Sequence, residues 1–223
     1  MRVQVIGAGS EENVSQGLQS LIVWVDRKGF LINCGYTVFP TLLKNRLINK
    51  VDRVFVSNRE SYMSGSLDAF FKYRKEVLGK KTKFYGFDQN MSLLGKIDVD
   101  YVNNPESYFI LDEKDSIITM PVNYKPSIFS EAFYNYGLLY SGPCSESLLE
   151  TSHAFDARII IHDVTFGDPK AHVDFSILAR ASDIVRKKTW LIGYPEDTDG
   201  SFTKKALQFG FAGVLRAGQT INI

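Results

Sequence analysis

The sequence predicts an α/β fold in which two β-sheets pack as a sandwich, and three observations carry that expectation. The stretch Val51 to Leu67 passes from an apolar strand (Val54, Phe55, Val56) through an abrupt polar loop (Ser57 to Ser64) into a helix. Such a junction is where open α/β sheets place their chemistry, because loop side chains are held there by a rigid scaffold. Between Thr82 and Met120, the short apolar runs FYGF, KIDVDYV, SYFIL and SIITM alternate with turn signals such as Asn103-Asn104-Pro105. That pattern reads as several short strands of a second, antiparallel-rich sheet. Finally, 223 residues are enough for one well-buried domain spanning 1–223, and nothing in the chain demands two.

Bulk composition narrows the function classes. Apolar residues at 44% and charged residues at 23% are ordinary globular values, which argue against a disordered tail or a coiled coil. A formal net charge of +1 provides no general field for nucleic acid or anionic membrane, so any such binding must come from a local patch. No apolar run approaches bilayer length, and the N-terminus enters a strand at once instead of offering a signal core; a cytoplasmic protein without membrane contact is expected. Cys34 and Cys144 form no metal-spacing pattern and no disulfide framework, and read as reduced thiols.

Taken in order, Val3 to Ile6 is an apolar strand that breaks into Gly7-Ala8-Gly9-Ser10. No third glycine and no helix start follow at the spacing of a dinucleotide fingerprint, so the pair marks a sharp turn. Leu21 to Val25 and Phe30 to Ile32 read as a hairpin around Asp26-Arg27-Lys28-Gly29. Leu42, Leu43, Arg46 and Leu47 have helical spacing. After the polar loop, Leu67, Phe70, Phe71 and Arg74 continue a helix whose far end is basic: Lys72, Arg74, Lys75, then Lys80, Lys81 and Lys83. These cations complement the helix dipole as a solvated end, or form a phosphate-contacting patch for RNA or a nucleotide. Ala132 to Ser141 reads as a strand pair turning at Gly137, Arg158 to Phe166 as a buried strand with a polar step, and Phe175 to Lys187 as a helix.

Several of these segments share wording with one family. VIGAGS resembles a Leu-Gly-Thr-Gly-Ser opening, and Leu31-Ile32-Asn33-Cys34-Gly35 resembles Leu-Ile-Asp-Cys-Gly. Ser57, Gly65, Ser66 and Leu67 fit the frame of a strand, Thr/Ser, His-x-His-x-Asp-His, small pair, Leu. Tyr140-Ser141-Gly142 resembles Tyr-Ser-Gly-Asp-Thr, and RIIIHDVTF is similar to Leu-Ile-His-Glu-Ala-Thr-Phe. Lys170-Ala171-His172 resembles Gly-His-Ser/Thr, Trp190 to Tyr194 resembles Leu-Thr-His-Phe, and FAGVLRAGQTINI looks like a terminal strand pair. Together they resemble the ribonuclease Z-like branch of the metallo-β-lactamase superfamily, over the whole chain. The resemblance implies an αββα sandwich of four layers, two mixed β-sheets flanked by helices, and in its intact members a dinuclear zinc hydrolase.

The ligands of that centre are replaced. At the matching positions stand Asn58, Glu60, Tyr62, Met63, Asn123 or Tyr124, Pro143 and Gly193, and Asn33 replaces an aspartate. Amide, phenol and thioether groups are poor Zn²⁺ donors, proline and glycine offer none, and without the ion nothing brings a bound water toward a pKa of about 7. The reading is therefore a catalytically inactive protein, with no catalytic residue, metal or cofactor, that acts as a binding or scaffolding subunit. The alternative is a phosphodiesterase or nuclease with a centre rebuilt on Glu60, His162, Asp163 and His172; the bland account makes His162 and Asp163 strand-end groups bonded within the scaffold. Cys144 reads as a small buried thiol, since no histidine is placed to activate it. A cleft rimmed by Asn58, Glu60, Tyr62, Tyr124 and Tyr194, with His162, Asp163 and His172 nearby, can bind a ligand or be filled in. The resemblance also implies a homodimer or pairing with a related protein. The helix carrying Met63, Leu67, Phe70, Phe71 and Tyr73 is the expected contact, unless both phenylalanines reach the core.

Overall fold

The computed structural model describes residues 1–25, 27–85, 100–102, 108–112, 115–122, 130–135, 137–165 and 172–222. Its first sheet is built from β1 (Arg2–Gly7), β2 (Ser20–Val25), β3 (Lys28–Ile32), β4 (Val51–Phe55), β5 (Lys83–Tyr85), β6 (Asp100–Val102) and β14 (Thr220–Asn222), in the order β14-β1-β2-β3-β4-β5-β6. The second holds β7 (Tyr108–Asp112), β8 (Asp115–Val122), β9 (Ser130–Asn135), β10 (Leu138–Tyr140), β11 (Ile159–Asp163), β12 (Thr189–Ile192) and β13 (Gly213–Val214), in the order β13-β12-β11-β10-β9-β8-β7. Each sheet is antiparallel on one side and parallel on the other: β3, β4, β5 and β6 run parallel in the first, β10 to β13 in the second. Both sheets are therefore mixed, as expected.

Alternation along the strands of the first sheet explains the layering. Leu21, Val23, Phe30, Ile32, Phe55 and Tyr85 join the large core cluster shared with the second sheet. Their chain neighbours Ile22, Trp24, Leu31, Val54 and Phe84 join a different cluster with α1 (Val38–Lys44), α2 (Ser61–Ser64) and α3 (Leu67–Lys72). Successive side chains of a strand point to opposite faces, so a sheet buried on both sides must be apolar at odd and even positions alike. The outer face of the second sheet is covered by α5 (Phe175–Leu178), α6 (Asp183–Arg186) and α7 (Ser201–Gln208), whose Phe175, Leu178, Val185, Phe202 and Ala206 enter the large cluster. Between β10 and β11 lies α4 (Ser152–Asp156), capped by Thr151, whose hydroxyl accepts from the Ala154 N–H.

Four expectations are corrected. The second strand of the hairpin starts earlier than expected, because Val25 already pairs with Lys28; Arg27, just ahead of it, takes a left-handed φ of 68°. The runs after Thr82 do not all form the second sheet, since β5 and β6 extend the parallel edge of the first. The closing strands are not a pair: β13 joins β12, whereas β14 crosses to β1. The helix expected over 175–187 is two helices. Asp174 caps the first through the Ser176 N–H, Ser182 is extended (ψ 149°) where the second starts, and Arg186 reaches back to the Ala179 carbonyl, satisfying a helix end that would otherwise need the next turn.

In α3, Phe70 and Phe71 both reach the core, with Met63 and Leu67 beside them and Tyr73 partly buried against the same cluster. Arg74 follows them inward. Its guanidinium donates to Thr82 Oγ1 (2.6 Å), the Ile48 carbonyl (2.8 Å) and the Lys81 carbonyl (3.1 Å), so it belongs to the scaffold rather than to an exposed patch. Lys72 pairs with Asp68 at 3.0 Å on the exposed side.

Candidate functional site

The C-terminal ends of β3, β4, β11 and β12 converge where the resemblance places the metal centre. The frame around that point is tight. A Cβ on Gly9 would overlap the Asn13 carbonyl, and one on Gly35 would overlap the Tyr62 carbonyl. The second approach lets the 57–66 loop dock on Cys34 and Gly35. There the Cys34 N–H donates to the Met63 carbonyl (2.6 Å) and the Ser66 N–H to the Cys34 carbonyl (2.9 Å). The glycines of the family wording are thus required by close backbone approach.

Inside this frame runs one buried chain of hydrogen bonds. Asn33 sits at φ 63°, a left-handed conformation that asparagine tolerates better than most residues. Its Oδ1 accepts from both the Ser57 N–H and the Ser57 hydroxyl, each at 2.9 Å, and its Nδ2 donates to Tyr140 Oη at 2.8 Å. The Tyr140 hydroxyl donates to Gln19 Oε1 at 2.9 Å, and Gln19 Nε2 donates in a short contact to Asp163 Oδ1. On its other oxygen, Asp163 meets His172 Nδ1 at 2.6 Å. Ser57, Asn33, Tyr140, Gln19 and Asp163 are all fully buried. Every link from Ser57 onward donates toward the Asp163 carboxylate, so successive bonds polarise one another in the same sense. Burial and the neighbouring Asp163 charge hold the Tyr140 phenol well above its ordinary pKa, which keeps it a donor. The chain ties the first sheet (Gln19, Asn33, Ser57) to the second (Tyr140, Asp163).

This chain occupies the place of the missing ligands. At Gly193, φ is 75°, and a Cβ would overlap Gln19 Nε2 and Asp163 Oδ1, so no histidine side chain fits at that position. Pro143 is buried and offers no donor. Asn58, at the first position of the metal loop, is fully buried and turned inward on its own loop, its Oδ1 accepting the Glu60 N–H at 3.0 Å. Met63 and Tyr62 lie in the helix-side core. Among the described residues, no group of three or more His, Cys, Asp or Glu is placed to hold a metal ion. The residues present do not fit a dinuclear zinc centre, by donor chemistry and by space. Asn123 and Tyr124 lie outside the described residues.

The rebuilt centre on Glu60, His162, Asp163 and His172 is also not assembled. Asp163 and His172 meet, but His162 turns away: its Nε2 accepts the Leu148 N–H (3.1 Å) and its Nδ1 faces the Asp163 carbonyl (2.7 Å). Both ring nitrogens are engaged in the neutral tautomer, and burial pushes the His162 pKa down. The thiols are equally closed off. Burial raises Cys34 to about 12 and holds Cys144 far above its ordinary value.

Three rim residues need correction, Asn58 being fully buried. Tyr62 is buried, and the Tyr194 hydroxyl is spent on the Leu215 carbonyl (2.9 Å), with its ring against Phe202. The Tyr194 side does border a small polar pocket of about 120 Å³ with Asn13, Glu196, Asp197 and Arg216. Gln19, central to the chain, escapes sequence reasoning. Its one signal is an amide just ahead of the apolar run Leu21 to Val25.

No family model matches the chain. Among known proteins, the anti-Pycsar protein Apyc1 of Paenibacillus harenae is 25% identical over 222 residues, 89% of this chain and 92% of its own length. Solved structures resemble it more broadly. The metallo-β-lactamase fold protein YhfI from Bacillus subtilis superposes with a TM-score of 0.82 at 16% identity, over 99% of each chain. The human short-form tRNase Z gives 0.73 at 15% identity, over 100% of this chain and 99% of that one. A diphosphatase of the PhnP family gives 0.78 at 14% identity, over 100% and 97%. With TM-scores of this size over nearly the whole of each chain, the chain has the metallo-β-lactamase fold.

Proposed function

We propose that the protein is a pseudoenzyme of this fold, a cytoplasmic binding or scaffolding subunit that keeps the frame of a hydrolase without its centre. The observation that carries the reading is the Asn33-Tyr140-Gln19-Asp163 chain, which fills the space a last metal histidine at 193 would need. A site that had merely lost one ligand would keep the others poised and the volume open. Here the vacated volume is taken by mutually satisfied amide, phenol and carboxylate groups, so the second function of the fold, holding a shape, is the one maintained. Similarity to Apyc1, an anti-Pycsar protein by name, supports looking for the partner in that setting. There a chain of this kind would act by holding its target, not by turning it over.

The test is metal analysis of protein grown with zinc and manganese, together with a broad screen of phosphodiesters and esters. Substoichiometric metal and no turnover are expected; stoichiometric zinc with turnover overturns the reading. A homodimer, or pairing with an intact relative, remains part of the proposal. The exposed apolar side chains Ile177, Ile184, Leu207 and Phe209 of the outer helical layer are surface available to it. Light scattering at micromolar concentration gives the answer, a lone 25.2 kDa particle counting against self-association.

A further inference from the structure

We propose that the concave basic face at the N-terminal ends of β3, β4 and β5 is a docking surface for the phosphate backbone of single-stranded nucleic acid. It lies at the other end of these parallel strands from Asn33 and Ser57 and is independent of the filled centre. Arg27, Lys28, Lys50, Lys80 and Lys81, all exposed, line a depression of about 500 Å³ whose floor includes the buried Arg74. Among the described residues of the lining the one carboxylate, Asp52, lies against Arg53 Nε at 3.3 Å. Lys80 Nζ rests on Asn49 Oδ1 at 2.6 Å, a neutral amide that positions the ammonium without cancelling its charge.

The build of this face favours a backbone over other anions. The cations sit at three adjacent strand starts, and neighbouring strands are about 4.8 Å apart, so positive charge is laid out as a row instead of a point. Arg74, fixed by Thr82, Ile48 and Lys81, holds the 80–81 segment rigidly against the strand starts, which makes the row preorganised. A depression of this size exceeds a single phosphate, and a flat bilayer would touch its rim but not its floor. Among the described residues no aromatic side chain lines it, so bases have nothing there to stack on and binding is indifferent to sequence. The row differs from the patch the sequence suggested: Arg27, Lys28 and Lys50 come from distant chain segments, while Lys72 is paired with Asp68.

Fluorescence anisotropy of a labelled 20-nucleotide single-stranded RNA tests this at several salt concentrations. With four phosphate contacts, log affinity should fall against log salt with a slope of roughly −3. The double change Lys50→Glu, Lys80→Glu should weaken binding at least tenfold and flatten the slope, while Lys187→Glu, Lys204→Glu at the end of α6 and in α7, helices over the second sheet, should stay within twofold. Melting curves are recorded for both pairs, and Lys28→Gln, Lys81→Gln replaces the first pair should it melt early. No binding by the unmodified protein at 50 mM salt, equal loss in the two pairs, or tighter binding to phosphatidylserine vesicles than to RNA each overturns the proposal. Cleavage of the probe would bear on the pseudoenzyme reading and leave the docking surface standing.

Discussion

The two ends of the parallel strands in the first sheet carry opposite kinds of polar surface. At the C-terminal ends, Ser57 bonds Asn33 within the first sheet and Asn33 crosses to Tyr140 of the second, in a closed, fully buried relay. At the N-terminal ends, Lys28, Lys50 and Lys80 line an open depression in which Asp52 is the carboxylate among the described lining residues. A buried polar group must be satisfied internally, whereas an exposed charge is satisfied by water and stays available to a partner. The fold thus separates what holds the sheets together from what can meet another molecule, and the usual location of chemistry in α/β proteins has become the structural end.

The most severe way to break that separation is to put back the histidine. Gly193→His forces a residue with a Cβ onto a φ of 75° and drives that Cβ into Gln19 and Asp163. Strain and the broken relay act together, and a loss of ~4 kcal/mol or more is expected. For a chain of this size that is a fall of roughly 10 °C in Tm, or failure to accumulate as soluble protein. A variant that melts like the parent would show that the relay yields easily and is not what fills the site.

Asn33→Asp comes next, and it asks whether the relay needs its direction. A carboxylate at 33 cannot donate to Tyr140 and instead accepts the Tyr140 proton, leaving Gln19 Oε1 without its donor. It also adds a second buried charge to the chain that ends at Asp163. A cost of about 2 to 4 kcal/mol is expected from denaturant unfolding, even though aspartate is the residue of the family wording. Unchanged stability would mean that the order of donors is incidental.

The residues explain what could be foreseen. Local wording marked the strand ends and loops, because glycine approaches such as Gly35 against Tyr62 and apolar strand runs leave direct traces in sequence. The loss of donors at Asn58, Pro143 and Gly193 was equally legible, since residue type alone decides what can ligate. The relay was not, because Gln19 and Tyr140 are 121 positions apart and nothing local says that they touch. Nor was the inward turn of Arg74, whose three neutral oxygen partners come from segments folded around it. The division of β13 and β14 between the two sheets is likewise a tertiary fact: each is only two or three residues long, and nothing local says which strand it meets.

His162 sharpens the comparison through pH. Its folded pKa lies below the unfolded value of 6.5, so the unfolded chain binds the extra proton first. Its contribution to stability is therefore whole above about pH 6.5 and is lost as pH falls from there toward the folded value. The limiting slope is about 1.4 kcal/mol per pH unit for one proton. Denaturant midpoints measured between pH 7.5 and 5.5 should drop for the parent and drop less for His162→Gln, which can still accept from the Leu148 N–H. Parallel curves would mean that His162 is not buried in the neutral form.

The smallest effect expected is at the mouth of the old loop. Asn58 uses its Oδ1 on the Glu60 N–H, a bond that an imidazole Nδ1 can also accept, and its Nδ2 is buried without a partner. Asn58→His should therefore change stability by about 1 kcal/mol, since the bond is kept and an unpaired donor is lost while a larger ring has to be packed at a buried position. It supplies one imidazole to a place where Met63 and Pro143 offer nothing and Gly193 has no room for a second. Zn²⁺ held against water needs three or four donors in tetrahedral array, so one does not make a site. Calorimetry with Zn²⁺ should show no tight binding by this variant. A sub-micromolar site would mean that other side chains complete a ligand set around position 58, and the closed end of the sheet would have to be redrawn as an open one.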